Sequence, residues 1–314
     1  MGGCVYLHDG RCVQGRPGCE GCGGRLDAAD PGLADRWEDP LQVIDRRRNP
    51  ASAVLRDVLA GGAAFLLCGG PSANEVELDR LAWRGCWTMG VNNAAGHPRV
   101  RPQAFVCSDP PQKFSHSIWY DPGVMKFVPT PKLGGYRANL RVKRDGEFSR
   151  AERKTADCPN VWGFQRWSWL HPDDRFFSTD GACWGNNEKE SKRTGQPKTV
   201  CTMLLGLRLL RFLGARTVFL LGVDFRMTPE AGYSFGQGRD AGACASNNNL
   251  FRTVNGWLCE MAERGVFDRF GMKVYNCNPT SGLRAFPHVP FNKAVEAAAG
   301  IIERMPDLSK WYEK

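Results

Sequence analysis

The sequence predicts an α/β fold, a mainly parallel sheet with helices on both faces, and three observations predict it. Short apolar runs recur along the chain, they end in Gly, Asn or Asp, and stretches with helical spacing lie between them. An unbroken apolar run of a few residues suits a strand buried on both faces. Strands that alternate with helices suit parallel crossovers.

The chain has 314 residues, 42% hydrophobic and 24% charged, enough to bury the core of one large domain with an appendage. No apolar run approaches the roughly 20 residues that span a bilayer, and "MGGCVYLHDGRC" lacks the apolar centre of a secretory signal. A cytoplasmic protein without membrane insertion is expected. Thirteen cysteines would staple a small secreted chain, but most are scattered here, and Cys68, Cys86 and Cys107 sit in apolar runs. Reduced core thiols are the expectation for these. The formal charge of +9 favours an anionic partner and equally serves solubility.

Residues 1–25 differ from the rest. Cys4, Cys12, Cys19 and Cys22 lie in a Gly-rich segment too small to fold on its own apolar surface. Four soft ligands predict a structural zinc, with Cys19 and Cys22 as a C-x-x-C knuckle and His8 able to replace Cys4 or Cys12; free thiols in a tail are the alternative. Residues 26–62 form a charged connector that ends in a short amphipathic helix, "ASAVLRDVLAGG".

Within the main domain, 63–314, the elements follow in order. "AAFLLC" is a strand, Gly69-Gly70-Pro71-Ser72 a turn, and "ANEVELDRL" a helix with Ser72 or Asn74 as cap. "WTMGV", "AFVCS" and "KFVPT" are strands; "TVCTMLLGLRLLRFLGA" is a helix closed near Gly214, and "TVFLLGVDF" a strand ending at Asp224. "SNNNLFRTVNGWLCEMAERG", "MKVYNCNP" and "NKAVEAAAGIIERM" complete the domain as helix, strand and helix. Ligands of such sheets bind beyond the carboxyl ends of the strands, and a bare turn entering a helix offers N–H groups to a phosphate. Asn92, Asp109, Asp224 and Asn278 stand at strand ends on that same edge, as ligand contacts or as caps.

"LLCGGPSANEVELDRL", "WTMGVNNA", "AFVCSDP" and "LRFLGARTVFLLGVDF" with "YSF" after it resemble the bacterial sialyltransferases of glycosyltransferase family 42 and their motility-accessory relatives. The resemblance spans about residues 63–280 apart from an expanded middle. It implies a Rossmann-like fold, a CMP-sugar donor used without metal, and transfer with inversion. By position it implies that Gly69, Gly70, Pro71 and Ser72 face the donor phosphate, Asn92 and Thr202 meet the nucleotide, and Tyr233 bonds the departing phosphate. This chain departs from the pattern in four places. Gly69 and Asp109 stand where the family has asparagines, Arg226 stands for one of two phosphate tyrosines, and the family's general-base histidine has no counterpart in "AGACASNNNLF". A carboxylate can take an acceptor's proton, so Asp109 is the expected base and Asp240 the reserve.

Residues 132–198 form an insertion, basic and rich in Trp162, Trp167, Trp169 and Trp184. Arg, Lys and Trp together suit a lid over an anionic acceptor, with a hydroxylated DNA base, a glycan or a protein as candidates, or tryptophans packed on the core. Two further readings stay open. One is a pyrophosphate-transferring enzyme that uses magnesium on Asp109 and Asp224. The other is a nucleotide- or nucleic-acid-binding protein without turnover.

Overall fold

The computed structural model describes Val43, Asp45, 55–59, 61–109, Phe114, 117–129, 155–164, Phe176, Phe177 and 201–299, together with the backbone of 7–8, 11–12, 137–144, 147–154 and 300–301. The strands are β1 (Leu7–His8), β2 (Arg11–Cys12), β3 (Ala63–Leu67), β4 (Trp87–Val91), β5 (Ala104–Val106), β6 (Met125–Pro129), β7 (Arg137–Arg144), β8 (Glu147–Lys154), β9 (Val161–Phe164), β10 (Thr217–Leu221) and β11 (Lys273–Asn276). The helices are α1 (Thr202–Phe212), α2 (Ala241–Glu263), α3 (Val266–Arg269) and α4 (Phe291–Ile301).

Seven strands form one sheet in the order β11-β10-β3-β4-β5-β6-β9, and every neighbouring pair is parallel. The all-apolar runs form its centre because both faces are covered: every residue of β3 and β4 is buried. One face packs on α1, α2 and α3 through Leu66, Leu205, Leu258 and Phe267. The other packs on α4 through Phe65, Phe219, Phe291 and Val295. This is the expected α/β fold with helices on both sides. From β3 the chain works outward through β4, β5, β6 and β9, then returns to place β10 and β11 on the far side of β3. The order therefore reverses between β3 and β10, and crevices at the carboxyl ends of such a reversal take ligands.

Three elements differ from the sequence expectation. The helix expected after the glycine turn is two 3-10 turns, Pro71–Glu75 and Leu78–Ala82, separated by extended Val76. Gly70, not Ser72 or Asn74, is at the cap position of the first, and no side chain bonds there. A single tight turn sums few peptide dipoles, so it lacks the charge of a helix end. Next, α2 begins at Ala241, five residues ahead of the apolar periodicity, because Asp240 caps it by accepting from Ala243 N–H at 2.7 Å. Finally, β9 lies inside the segment read as an insertion and forms the sheet's edge. Its Trp162 is 8% exposed and donates through Nε1 to Asn160 Oδ1 at 2.8 Å, so this tryptophan packs on the core. Trp167, Trp169 and Trp184 lie outside the described residues. β7 and β8 pair as an antiparallel ladder of backbone.

β1 and β2 pair antiparallel, but Cys4, Cys19, Cys22 and the Cys12 side chain lie outside the described residues, and so does the expected zinc site. Among the described residues no three His, Cys, Asp or Glu gather into a metal-binding group. The eight described cysteines are free thiols, seven of them buried. No helix among these residues is long and apolar enough to cross a membrane. The sheet also holds a fully buried lysine. Lys126, on β6, donates to the carbonyl oxygens of Asp121 and, at 2.8 Å, of Pro159.

Candidate active site at the carboxyl edge of the sheet

Asp224 ties together three strand tips. It follows β10, is 7% exposed, and accepts from Ser72 N–H at 3.1 Å on one oxygen and from Asn278 Nδ2–H on the other. Asn278, just after β11, accepts in turn from the Thr280 N–H and hydroxyl at 2.9 and 3.0 Å. An Arg226 N–H donates to Thr280 Oγ1 at 3.5 Å. A cleft of about 230 Å³ opens here, lined among others by Ser72, Glu75, Asp224, Arg226, Asn278 and Thr280.

The glycine turn is engaged within the protein, which corrects the expectation that its amides stand open to a phosphate. Gly70 N–H donates to Gly222 O at 2.8 Å and Ser72 N–H is held by Asp224. A Cβ on Gly70 would run into the Asp224 carboxylate and come within 2.6 Å of Gly222 O, so glycine is needed for this close approach. Gly222 itself has φ 61°, the left-handed region that favours glycine. Over Gly69 lie the rings of Tyr233 and Phe235, each 3.1 Å from where a Cβ would stand, and Gly69 O accepts from Ser234 N–H at 2.8 Å. The negative charge at the mouth of the turn is thus the protein's own carboxylate. The Ser72 hydroxyl remains buried and unpartnered.

A second cluster lies on the β4–β5 side. Thr202, the first residue of α1, shares its Oγ1 between Ser108 Oγ at 2.7 Å and Asn92 Nδ2–H at 3.4 Å. Asn92 follows β4 with φ 52°, a left-handed conformation that asparagine tolerates. Its Oδ1 is buried without a partner. Asp109 follows Ser108 beyond the end of β5 and is half-buried. Nearby, burial pushes the Cys68 thiol well up, and Cys201 and Asp224 push the same way; this cysteine is a neutral core group.

The segment 228–240 crosses the turn and is held from both sides. Asn74 Nδ2–H donates to Ser234 O at 2.9 Å, and Asn93 Nδ2–H to Gln237 Oε1 at 3.1 Å. Asn74 Oδ1 meets His97 Nε2 at 3.0 Å, while Arg99 N–H donates to His97 Nδ1 at 3.3 Å. That pairing fixes a neutral imidazole with its proton on Nε2, in keeping with burial, which pulls the His97 pKa down. Tyr233 and Phe235 stack at 5.1 Å and 10°. The Arg239 guanidinium lies 5.3 Å over the Tyr233 ring and donates to its hydroxyl at 3.3 Å.

The structure therefore gathers Gly69, Gly70, Ser72, Asp224 and Tyr233 around one turn, with Asn92 and Thr202 bonded on the β4–β5 flank and Arg226 on the β11 flank. Asp240 has one oxygen committed to the cap of α2. Both oxygens of Asp224, a carboxylate the magnesium alternative requires, already accept hydrogen bonds. Sequence reasoning missed Ser108, His97 and Arg239. Ser108 ends a strand as Asn92 does, and that signal was open to use; the other two are joined to the site only by the folded loop.

No protein-family model matches the sequence, and no curated protein does. Among solved structures the chain is similar to the sialyltransferase CstII from Campylobacter jejuni in complex with the substrate analogue CMP-3FNeuAc, at 12% identity and a TM-score of 0.39 over 74% of this chain and 87% of that one. It is similar to sialyltransferase CST-II in complex with trisaccharide acceptor and CMP at 14% identity and a TM-score of 0.40, over 73% of this chain and 86% of that one.

Proposed function

We propose that the chain is an inverting glycosyltransferase that moves a sugar from a nucleotide-sugar donor to an acceptor hydroxyl. The observation that carries this reading is the carboxyl edge of the sheet around β3. There, beside the strand-order reversal, polar atoms of Ser72, Asn92 and Ser234 are buried without partners, and buried polar groups want hydrogen bonds that a ligand can supply. The same edge carries the motifs that resemble a CMP-sugar transferase.

In this reading Asn92 and Thr202 bind the nucleotide and Tyr233 faces the leaving phosphate. Attack of the acceptor oxygen on the anomeric carbon forms the new glycosidic bond from the face opposite the departing nucleotide phosphate. The bond from that carbon to the phosphate oxygen breaks, and its electron pair leaves with the nucleotide. Asp109 takes the acceptor's proton, work that contributes typically 10²–10⁴-fold. Arg226, beside Asp224 and Thr280, balances the charge left on the phosphate. The acceptor is to be found among DNA carrying a hydroxylated base, glycan and protein, the classes to compare.

Incubation with a panel of nucleotide sugars, with and without EDTA, tests the reading. It predicts release of nucleotide from one donor, insensitive to EDTA and faster with one acceptor class. Release that is abolished by EDTA supports the magnesium-dependent alternative instead, and no release from any donor overturns catalysis.

A further inference from the structure

The engaged turn leaves a question that the nucleotide-sugar reading must answer: what holds the donor's phosphate. Gly70 and Ser72 amides are donating to Gly222 and Asp224, and Asp224 places a carboxylate where an anion would otherwise sit. A phosphate approaching this edge needs a cation whose charge is not already spent. Arg239 meets that need. It is half-buried, and no carboxylate pairs with it among the described residues. Its Nε is buried without a partner. The neighbouring Asp240 is turned to Ala243 N–H instead.

The guanidinium is also held in place. It stacks over Tyr233 at 5.3 Å and spends one N–H on the Tyr233 hydroxyl, and its Cγ would lie 3.9 Å from a Cβ on Gly232. Tyr233 in turn rests on Gly69 and on Phe235. A planar cation fixed by an aromatic face and left with free N–H groups is suited to phosphate, which it can grip through two parallel hydrogen bonds. Leaving it unpaired in a half-buried position costs stability, and a bound anion removes that cost.

We propose that Arg239, presented by Tyr233 above Gly69, is a phosphate-binding residue of the donor site alongside Arg226, in place of the amides of the glycine turn. This rests on the nucleotide-sugar reading and adds a residue that the motif resemblance does not name. Tyr233 then serves as a holder of Arg239 as well as a phosphate partner, so the two side chains act together on the same group.

Isothermal titration of the full chain with CMP, UMP, AMP and GMP, and with the four matching nucleosides, separates the two ideas. Wild type binds one monophosphate at least about tenfold more tightly than its nucleoside, as expected for a charge-assisted contact. In Arg239→Met that difference collapses to about twofold or less, while affinity for the nucleoside is unchanged. Arg239→Gln, which keeps a donor for Tyr233, gives the same result and decides the matter if the Met variant does not fold. A monophosphate preference that survives both substitutions overturns the role of Arg239 and leaves the nucleotide reading standing. If wild type binds neither monophosphate nor nucleoside, the nucleotide reading itself fails and this inference with it.

Discussion

A nearly buried carboxylate needs its acceptors filled, and Asp224 fills them from two other strand tips. Hydrogen bonds to a charged group are worth about 1.5–3 kcal/mol each, so Asp224→Ala is expected to lower unfolding stability by roughly 3 kcal/mol or more, read from a denaturant midpoint. Asp109 gives the opposite profile, with Asp109→Asn expected to cost about 10²–10⁴-fold in turnover and to leave nucleotide affinity unchanged. Turnover that survives Asp109→Asn removes it as the base. Lys126 makes a prediction in pH. Burial pushes its ammonium down to about 7 from 10.5, chiefly by desolvation, so between those values the unfolded chain holds a proton that the folded chain lacks. Its contribution to stability therefore rises with pH across that window. Relative to wild type, Lys126→Met is expected to be most favourable at or below pH 7 and to lose that advantage toward pH 10, checked by paired urea titrations. A pH-independent difference contradicts the shifted lysine.

The elements show which sequence signals were sufficient. β3, β4 and β10 were legible because a strand buried on both faces must be apolar nearly throughout, and few other structures of that length need to be. α1 was legible from its periodicity and from Gly214, which takes φ 97° where the helix ends. The expected helix after Ser72 was not, since Val76 and Leu78 fit helical spacing yet Val76 is extended, at φ −121° and ψ 160°. Val76 packs, partly buried, against the cluster that holds Ala73, Leu78 and Leu81. β9 hid within a basic, tryptophan-rich stretch whose composition suggested a lid. α2 starts ahead of its apolar periodicity because the Asp240 cap sets its first turn. Asp240→Ala is expected to cost about 1 kcal/mol through lost capping, seen as faster amide exchange in the first turn of α2. It should leave turnover intact if Asp109 is the base.

At the scale of the whole molecule, the reversal of strand order between β3 and β10 creates the site. It brings residues from 69 to 280 to one edge; Asn92, Asp109, Asp224 and Asn278 were legible as the ends of apolar strands, while Thr202, Arg226 and Tyr233 were named only through the family resemblance. It did not name their internal bonds. Nothing in the string says that Asp224 would take the Ser72 amide or that the 228–240 segment would lie across Gly69, since both depend on long-range packing. A structure of the protein co-crystallised with the monophosphate it binds tests the central claim most directly. The account predicts the nucleotide seated over the tips of β3, β4 and β5, with its phosphate against Tyr233 and Arg239. A nucleotide bound away from this edge, or a phosphate seated on amides freed from Asp224, would contradict it.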